Sequence, residues 1–316
     1  MYSVYSEKIV NRILFEPVAK GADRLCIITK YATPGMASWL ITTYRERKKE
    51  NIEINLIICS TCDKGISKVD HEEFRNLQGN RNSNKTSCFT CSYLFQSLNL
   101  KNNFYIWFKN GKIIQIFECP YDFTQASLLR KHNVISEDVK TRISLKIYDK
   151  IIKNSIFCNH SEIEEYIKIQ SPNVFLKDNI SHSDNCVHLS LLTKNNEIGK
   201  KSGLNWGQRG NRNPNEAYIP LPVGIARSGF FPLNKQHFMT ITDDRHTLLL
   251  RVEQQNNKAI TTPLSNALLG EYFRNRLGLH NGAYVTVNDL KRYGRTDVTF
   301  YKIDEEQYYM DFSVSG

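Results

Sequence analysis

No stretch of this sequence approaches the roughly 18 consecutive apolar residues that a membrane-crossing helix requires, so no transmembrane segment is expected. The opening residues, MYSVYSEKIVNRILFEP, lack the apolar core and small-residue cleavage site of a secretory signal. Eight cysteines are present. Without an export signal they argue against a disulfide framework and toward reduced thiols or a metal site. These absences together imply a cytoplasmic protein with no membrane partner. Acidic charge is also scarce, because 32 Asp and Glu stand against 42 Lys and Arg, a formal net charge of +10. A surplus of that sign attracts polyanions; it speaks to partners and encounter rates and leaves the fold open. No internal repeat is found, and 316 residues are enough for two cores, since single domains cluster near roughly 100–150 residues.

The first 150 residues alternate strand and helix signals. Ser6 is placed to cap a helix whose apolar residues Ile9, Val10, Ile13 and Leu14 recur at helical spacing before Pro17. Arg24 to Thr29 (RLCIIT) and Ile54 to Cys59 (INLIIC) are apolar without alternation, as strands buried on both faces are, and Pro34 to Arg47 between them reads as a helix. A short helix around His71 to Leu77 follows, then strands at 104–108 and 113–117 joined by a KNGK turn, then a helix around 125–131. The pattern predicts an α/β domain over residues 1–150 with a largely parallel sheet. Residues 151–185 fade into Asn, Ser and Lys with scattered apolar positions and read as a helical connector and linker.

Residues 186–316 are strand-rich. Strands are expected at 187–192, 216–221, 237–242, 247–253 and 297–303. One helix interrupts them: Thr262 and Pro263 suit its start, Leu264, Leu268, Leu269, Phe273 and Leu277 form an apolar face, and Gly278 suits its end. Many strands with one helix imply an all-β closed barrel.

Two constellations carry chemistry. The loop GLNWGQRGNRNPNEAYIPLP at 203–222 gathers Asn205, Gln208, Arg209, Arg212, Asn213 and Glu216. Arg pairs bidentately with guanine and Asn or Gln with adenine in the major groove, and Glu accepts from cytosine. A glycine-rich surface loop with solvated polar groups explains the same composition. The second constellation is Cys59-x2-Cys62 and Cys88-x2-Cys91, whose 25-residue spacer is longer than usual but compatible with a four-thiolate zinc site. Such a zinc would be structural, because four thiolates leave no open position for water. Four unlinked thiols in a reducing compartment are the plainer alternative.

The run GLNWGQR, then EAYIPLP, GFFP at 229–232, the Asp pair at 243–244 and YGRTDVTFYKID at 293–304 resemble the C-terminal domain of NgoFVII-type restriction endonucleases. The resemblance implies a B3-like, seven-stranded pseudobarrel whose two arms grip the DNA major groove. The first arm then spans 193–215 and the second 251–258, adding Arg251, Gln254, Gln255, Asn257 and Lys258 as contacts to base or phosphate.

The stretches KGISKVDHEEFRNLQ at 64–78 and FYIWFKNGK at 104–112 resemble the nuclease half of the same family, which is phospholipase D-like. That half implies a metal-free site, shared by two subunits, in which His-x-Lys and a downstream Asn act on the phosphodiester. Here the His-x-Lys positions hold Lys101, Asn102 and Asn103, no His-x-Lys occurs anywhere, and Asp122 stands where the family has Asn. Covalent catalysis needs a nucleophile that is neutral yet basic near pH 7, which histidine supplies and a protonated lysine does not. His71, His132 and His160 are isolated and read as structural or surface residues.

The sequence therefore points to a sequence-specific double-stranded DNA-binding protein of this family with an altered nuclease motif. It would form a homodimer through the first domain or a heteromer with an active nuclease subunit. An active type II endonuclease working as a dimer or with a partner, and a modified-base reader without nuclease role, are the alternatives. Beyond the structural zinc, the family's chemistry calls for no cofactor.

Overall fold

The computed structural model describes residues 9–48, 52–79, 89–98, 100–129, 145–170 and 185–314, and the chain divides into two compact units, Met1–Pro172 and Asn173–Gly316. Among the described residues, no helix is long and apolar enough to cross a membrane.

The first unit is built on a six-stranded sheet of β1 (Arg24–Thr29), β2 (Glu53–Ile58), β4 (Phe89–Leu94), β5 (Asn103–Lys109), β6 (Lys112–Cys119) and β7 (Ser155–Phe157), in the order β6-β5-β1-β2-β4-β7. β1, β2 and β4 run parallel, while β5, β6 and β7 are antiparallel to their neighbours. The unbroken apolar runs of β1 and β2 follow from their central place, with both faces covered. α1 (Pro34–Glu46) opens on a Thr33 side chain that accepts from the Met36 N–H, with Pro34 in the first turn. α2 (Lys68–Gly79) packs Phe74 and His71 inward. The β5–β6 hairpin turns through Asn110 and Gly111, both left-handed, which is the geometry that an Asn-Gly pair favours.

Within the stretch expected as connector and linker, residues 151–170 carry elements of the first unit. α3 (Leu145–Lys153) leads into β7, which pairs with β4, and β8 (Ile169–Gln170) pairs in parallel with β3 (Ile66–Ser67). Ser6 and Lys131, at the expected ends of two helices, lie outside the described residues.

The second unit is a seven-stranded sheet of β9 (Cys186–Ser190), β10 (Ile219–Pro220), β11 (His237–Thr242), β12 (Thr247–Glu253), β13 (Ala259–Thr261), β14 (Asp297–Lys302) and β15 (Gln307–Asp311), ordered β10-β13-β12-β11-β15-β14-β9. All its pairings are antiparallel except β11 with β15. The outer strands β9 and β10 approach each other, so the sheet curls into a nearly closed barrel. Inside it Phe231 sits with ring centroids 5.4 Å from Phe238, 5.2 Å from Phe300 and 5.3 Å from Tyr308.

The expected single helix is corrected to three among the described residues: α4 (Val223–Arg227), α5 (Ala267–Arg276) and α6 (Val287–Tyr293). α6 is set by a capping box between Thr286 and Asp289 and by left-handed Gly294 at its end. α5 begins at Ala267, because the Thr262 hydroxyl is spent on the Ser265 carbonyl. Leu269, Phe273 and Leu277 are buried as expected, whereas Leu268 is exposed. β10 is shorter than the expected 216–221, with Pro220 on the outer strand, where a missing N–H breaks no ladder. The Asp pair is structural: Asp243 takes both a guanidinium bond from Arg276 and the Phe312 N–H.

Phe231→Ala should lower the stability of the second unit by about 3–5 kcal/mol, the usual loss for a fully buried ring. The denaturant midpoint of that unit's own unfolding transition measures it.

Candidate nucleic-acid interface and altered nuclease site

The loop that follows β9 begins its recognition segment as a tight 3-10 turn, Gly203–Gln208. Asn205 is fully buried, donating to the Val285 carbonyl at 2.8 Å and accepting the Val285 N–H at 2.9 Å. Its expected role as a base contact is therefore corrected: the amide is spent inside the protein. Gln208 is half-buried and donates to Pro214 and Gly282 carbonyls. Arg209 is exposed, steadied by a 2.8 Å bond from Nε to the Lys201 carbonyl. The Arg212 guanidinium lies 4.1 Å over the Trp206 ring and pairs with Glu216, while Tyr218 meets the same indole edge-on. Asn213 is exposed and accepts from the Asn215 N–H. Of the six expected contacts in this loop, Arg209, Arg212 and Asn213 are exposed.

Beneath the loop lies Arg274 of α5, with no exposed surface. Its nitrogens donate to the carbonyls of Gly270, Ala283, Leu204 and Pro214. Sequence reasoning missed it, because an arginine on an amphipathic helix ordinarily lies along the solvent face.

The stretch expected as a second arm falls on the β12–β13 turn. Gln254, Asn256 and Asn257 all take left-handed conformations there, and Gln254, Gln255 and Lys258 are exposed. Arg251 is corrected: it belongs to the strand, is 7% exposed, pairs with Glu253 and stands opposite His237. The Leu221 N–H bonds to the Lys258 carbonyl, which borders this turn with the residues leading into α4 and its exposed Arg227.

In the first unit the altered motif converges at the end of β1. Asn103 is 2% exposed, and its Oδ1 accepts from the Thr29 hydroxyl at 3.1 Å and the Lys30 N–H at 2.8 Å. Its side chain also bonds to Asp122, whose pKa is raised chiefly by burial, with Asn103, the Tyr31 backbone and Lys30 opposing the shift. One Asp122 oxygen, Oδ1, is buried without a hydrogen-bond partner. The neighbouring Phe123 N–H bonds to Thr29 Oγ1 and the Tyr31 carbonyl, and Lys30 Nζ bonds to the carbonyl of exposed Lys101. Lys64 reaches the Tyr31 hydroxyl. This end of the parallel strands is where open α/β sheets place ligands, yet among the described residues the bonds around Asn103 and Asp122 involve no imidazole. His71 is engaged with the Tyr93 hydroxyl, with its pKa lowered mainly by burial, and His160 accepts the Glu162 N–H. His132 lies outside the described residues.

Of the expected cysteine array, Cys59 and Cys91 lie on opposite faces of the sheet. Cys59 packs with Cys26, Ile57 and Leu94 on one face of the sheet. The β2–β4 register pairs Leu56 with Cys91 and Ile58 with Tyr93, so Cys91 points to the other face, where the Cys158 N–H bonds to its carbonyl. Burial pushes the Cys59 thiol up to about 12. Cys62 donates to the Cys59 carbonyl, and Cys88 lies outside the described residues. Among the described residues, no three His, Cys, Asp or Glu side chains form a group able to hold a metal ion.

A family model for the NgoFVII restriction endonuclease N-terminal PLD domain matches residues 7–165, and one for the NgoFVII C-terminal B3-like DNA-binding domain matches 179–304. The chain belongs to the NgoFVII restriction endonuclease family. The mixed sheet of the first unit is thus its PLD domain, and the nearly closed barrel its B3-like DNA-binding domain. No curated protein matches the chain.

Asn205→Ala should cost about 1–3 kcal/mol of stability, because it leaves a buried N–H and C=O of Val285 unpaired. Lys258→Ala, on the exposed turn, should stay within about 0.5 kcal/mol of wild type. Denaturant unfolding of the two variants side by side separates brace from contact.

Proposed function

We propose that this protein binds duplex DNA sequence-specifically through its B3-like domain and does not itself cut the phosphodiester backbone. The observation that carries the reading is the state of Asn103: buried, neutral, and committed to Thr29, Lys30 and Asp122. An amide so engaged offers no cationic clamp. The Asp122 carboxylate, once ionised, would repel a phosphate, and Lys101 is exposed rather than held in a site. On the DNA side, exposed Arg209, Arg212, Asn213, Gln254, Gln255 and Lys258 supply both base-pairing and phosphate-neutralising chemistry, and the net charge of +10 favours the encounter. Cleavage, in this reading, belongs to an active partner subunit.

Purified protein should shift duplex DNA in a gel yet leave supercoiled plasmid intact, both in EDTA and in magnesium. Loss of a covalent nucleophile commonly removes several orders of magnitude in rate. Lys258→Ala should reduce the slope of log affinity against log salt by about one. Discrete fragments that disappear in Lys101→Ala or Asn103→Ala would contradict the reading.

A further inference from the structure

Arg274 is an expensive residue in the place it occupies. A guanidinium without exposed surface has lost its hydration, and such a charge is tolerated only where its donors are met. Here they are met by main-chain carbonyls: Nε by Ala283 at 2.8 Å, Nη1 by Gly270 at 3.1 Å, and Nη2 by Leu204 at 3.2 Å and Pro214 at 3.1 Å. Leu204 and Pro214 bracket the segment that displays Arg209, Arg212 and Asn213. One buried side chain thus ties both ends of that segment to α5.

Other groups repeat the tie. The Asn215 Oδ1 accepts the Gly282 N–H at 2.6 Å, and its Nδ2 donates to Glu271 at 3.2 Å. The loop backbone presses on α5 so closely that a Cβ on Gly270 would lie 1.8 Å from the Asn215 carbonyl oxygen. A connection between two strands needs none of this, since surface loops ordinarily tolerate slack. A loop that must present hydrogen-bonding groups in fixed register does need it. Rigidity in the free protein removes the ordering cost on binding, and bidentate pairing fails when a supporting element is loose by about 1 Å.

We propose that Arg274 is the positioning residue of the recognition loop: it touches no DNA, and it fixes the geometry in which Arg209, Arg212 and Asn213 meet base edges in the major groove. The proposal rests on the reading of this loop as a duplex-DNA contact. Arg274 therefore governs selectivity, while phosphate contacts continue without it.

The test uses the full chain as wild type, Arg274→Met and Arg274→Lys. Affinity is measured for a duplex that the wild type selects from a randomised pool and for a scrambled duplex, across a salt series. Both variants should lose at least about tenfold on the selected duplex, comparable to a mismatched base pair, and remain within about threefold on the scrambled one with an unchanged salt slope. Lysine should not rescue, because one ammonium cannot span four carbonyls set around a planar fork. An unchanged ratio in Arg274→Met, or equal losses on both duplexes, overturns the proposal. If Arg274→Met lacks the native near-UV circular dichroism, Asn215→Ala decides: a fallen ratio supports the proposal and an unchanged one overturns it. A wild type that selects no sequence overturns the underlying reading and the proposal with it; a selective wild type beside an equally selective Arg274→Met overturns the proposal alone.

Discussion

A charge taken out of water must be met within the protein, and the Arg274 guanidinium is met by hydrogen bonds to four backbone carbonyls, with the Glu271 carboxylate acting on it through space. Much of the second unit's outer layer follows from that constraint. Four carbonyls have to converge on one side chain, which fixes where the recognition loop crosses α5, where residues 282–285 run, and why position 270 carries no side chain. The barrel core of Phe231, Phe238, Phe300 and Tyr308 is an apolar matter of packing. The loop on top of it sinks Ile198 and Leu204 into that core and is held in addition by polar groups, whose directionality makes its shape specific.

The first unit shows the same device at a smaller scale. Asn103 ties the end of β1 to the start of β5, and the Asp122 segment is bonded to the same end through Phe123. In the proposed function Asn103 and Asp122, set by the resemblance at the family's phosphoryl-transfer positions, serve as internal cross-links. A side chain already satisfied by its neighbours is a poor partner for a phosphate, and a half-buried carboxylate there adds repulsion. The parallel strands end where open α/β sheets place a ligand site, and the first unit matches the family's PLD domain.

The sequence displayed the strands that bury both faces and the hairpin with an Asn-Gly turn, because apolar runs and turn residues act locally. β4 was harder, since Thr90, Ser92 and Cys91 dilute its apolar signal, and β7 is three residues long with Phe157 exposed. Its pairing with β4 is a long-range event that local pattern does not encode. α6 carried a readable Thr-x-x-Asp box but too little apolar periodicity to register. At the candidate interface, residue type alone did not reveal direction. Asn205 and Asn213 look alike in sequence, yet one amide is consumed by Val285 and the other stands in solvent. Arg251 shows the same limit, because hairpin register turned it inward beside Glu253. The cysteine pairs read as one array because spacing hides parity, and in a sheet parity decides which face a thiol occupies.

In the proposed function the B3-like barrel reads duplex DNA and the PLD domain of the same chain does not cut it. The most direct measurement incubates the full protein with a pool of randomised duplexes, in EDTA and separately in magnesium, and sequences both the retained molecules and every new DNA end. The account predicts that one motif is enriched among retained duplexes and that they keep their original ends. Retention without any motif, or new ends at a fixed position relative to one, would contradict it.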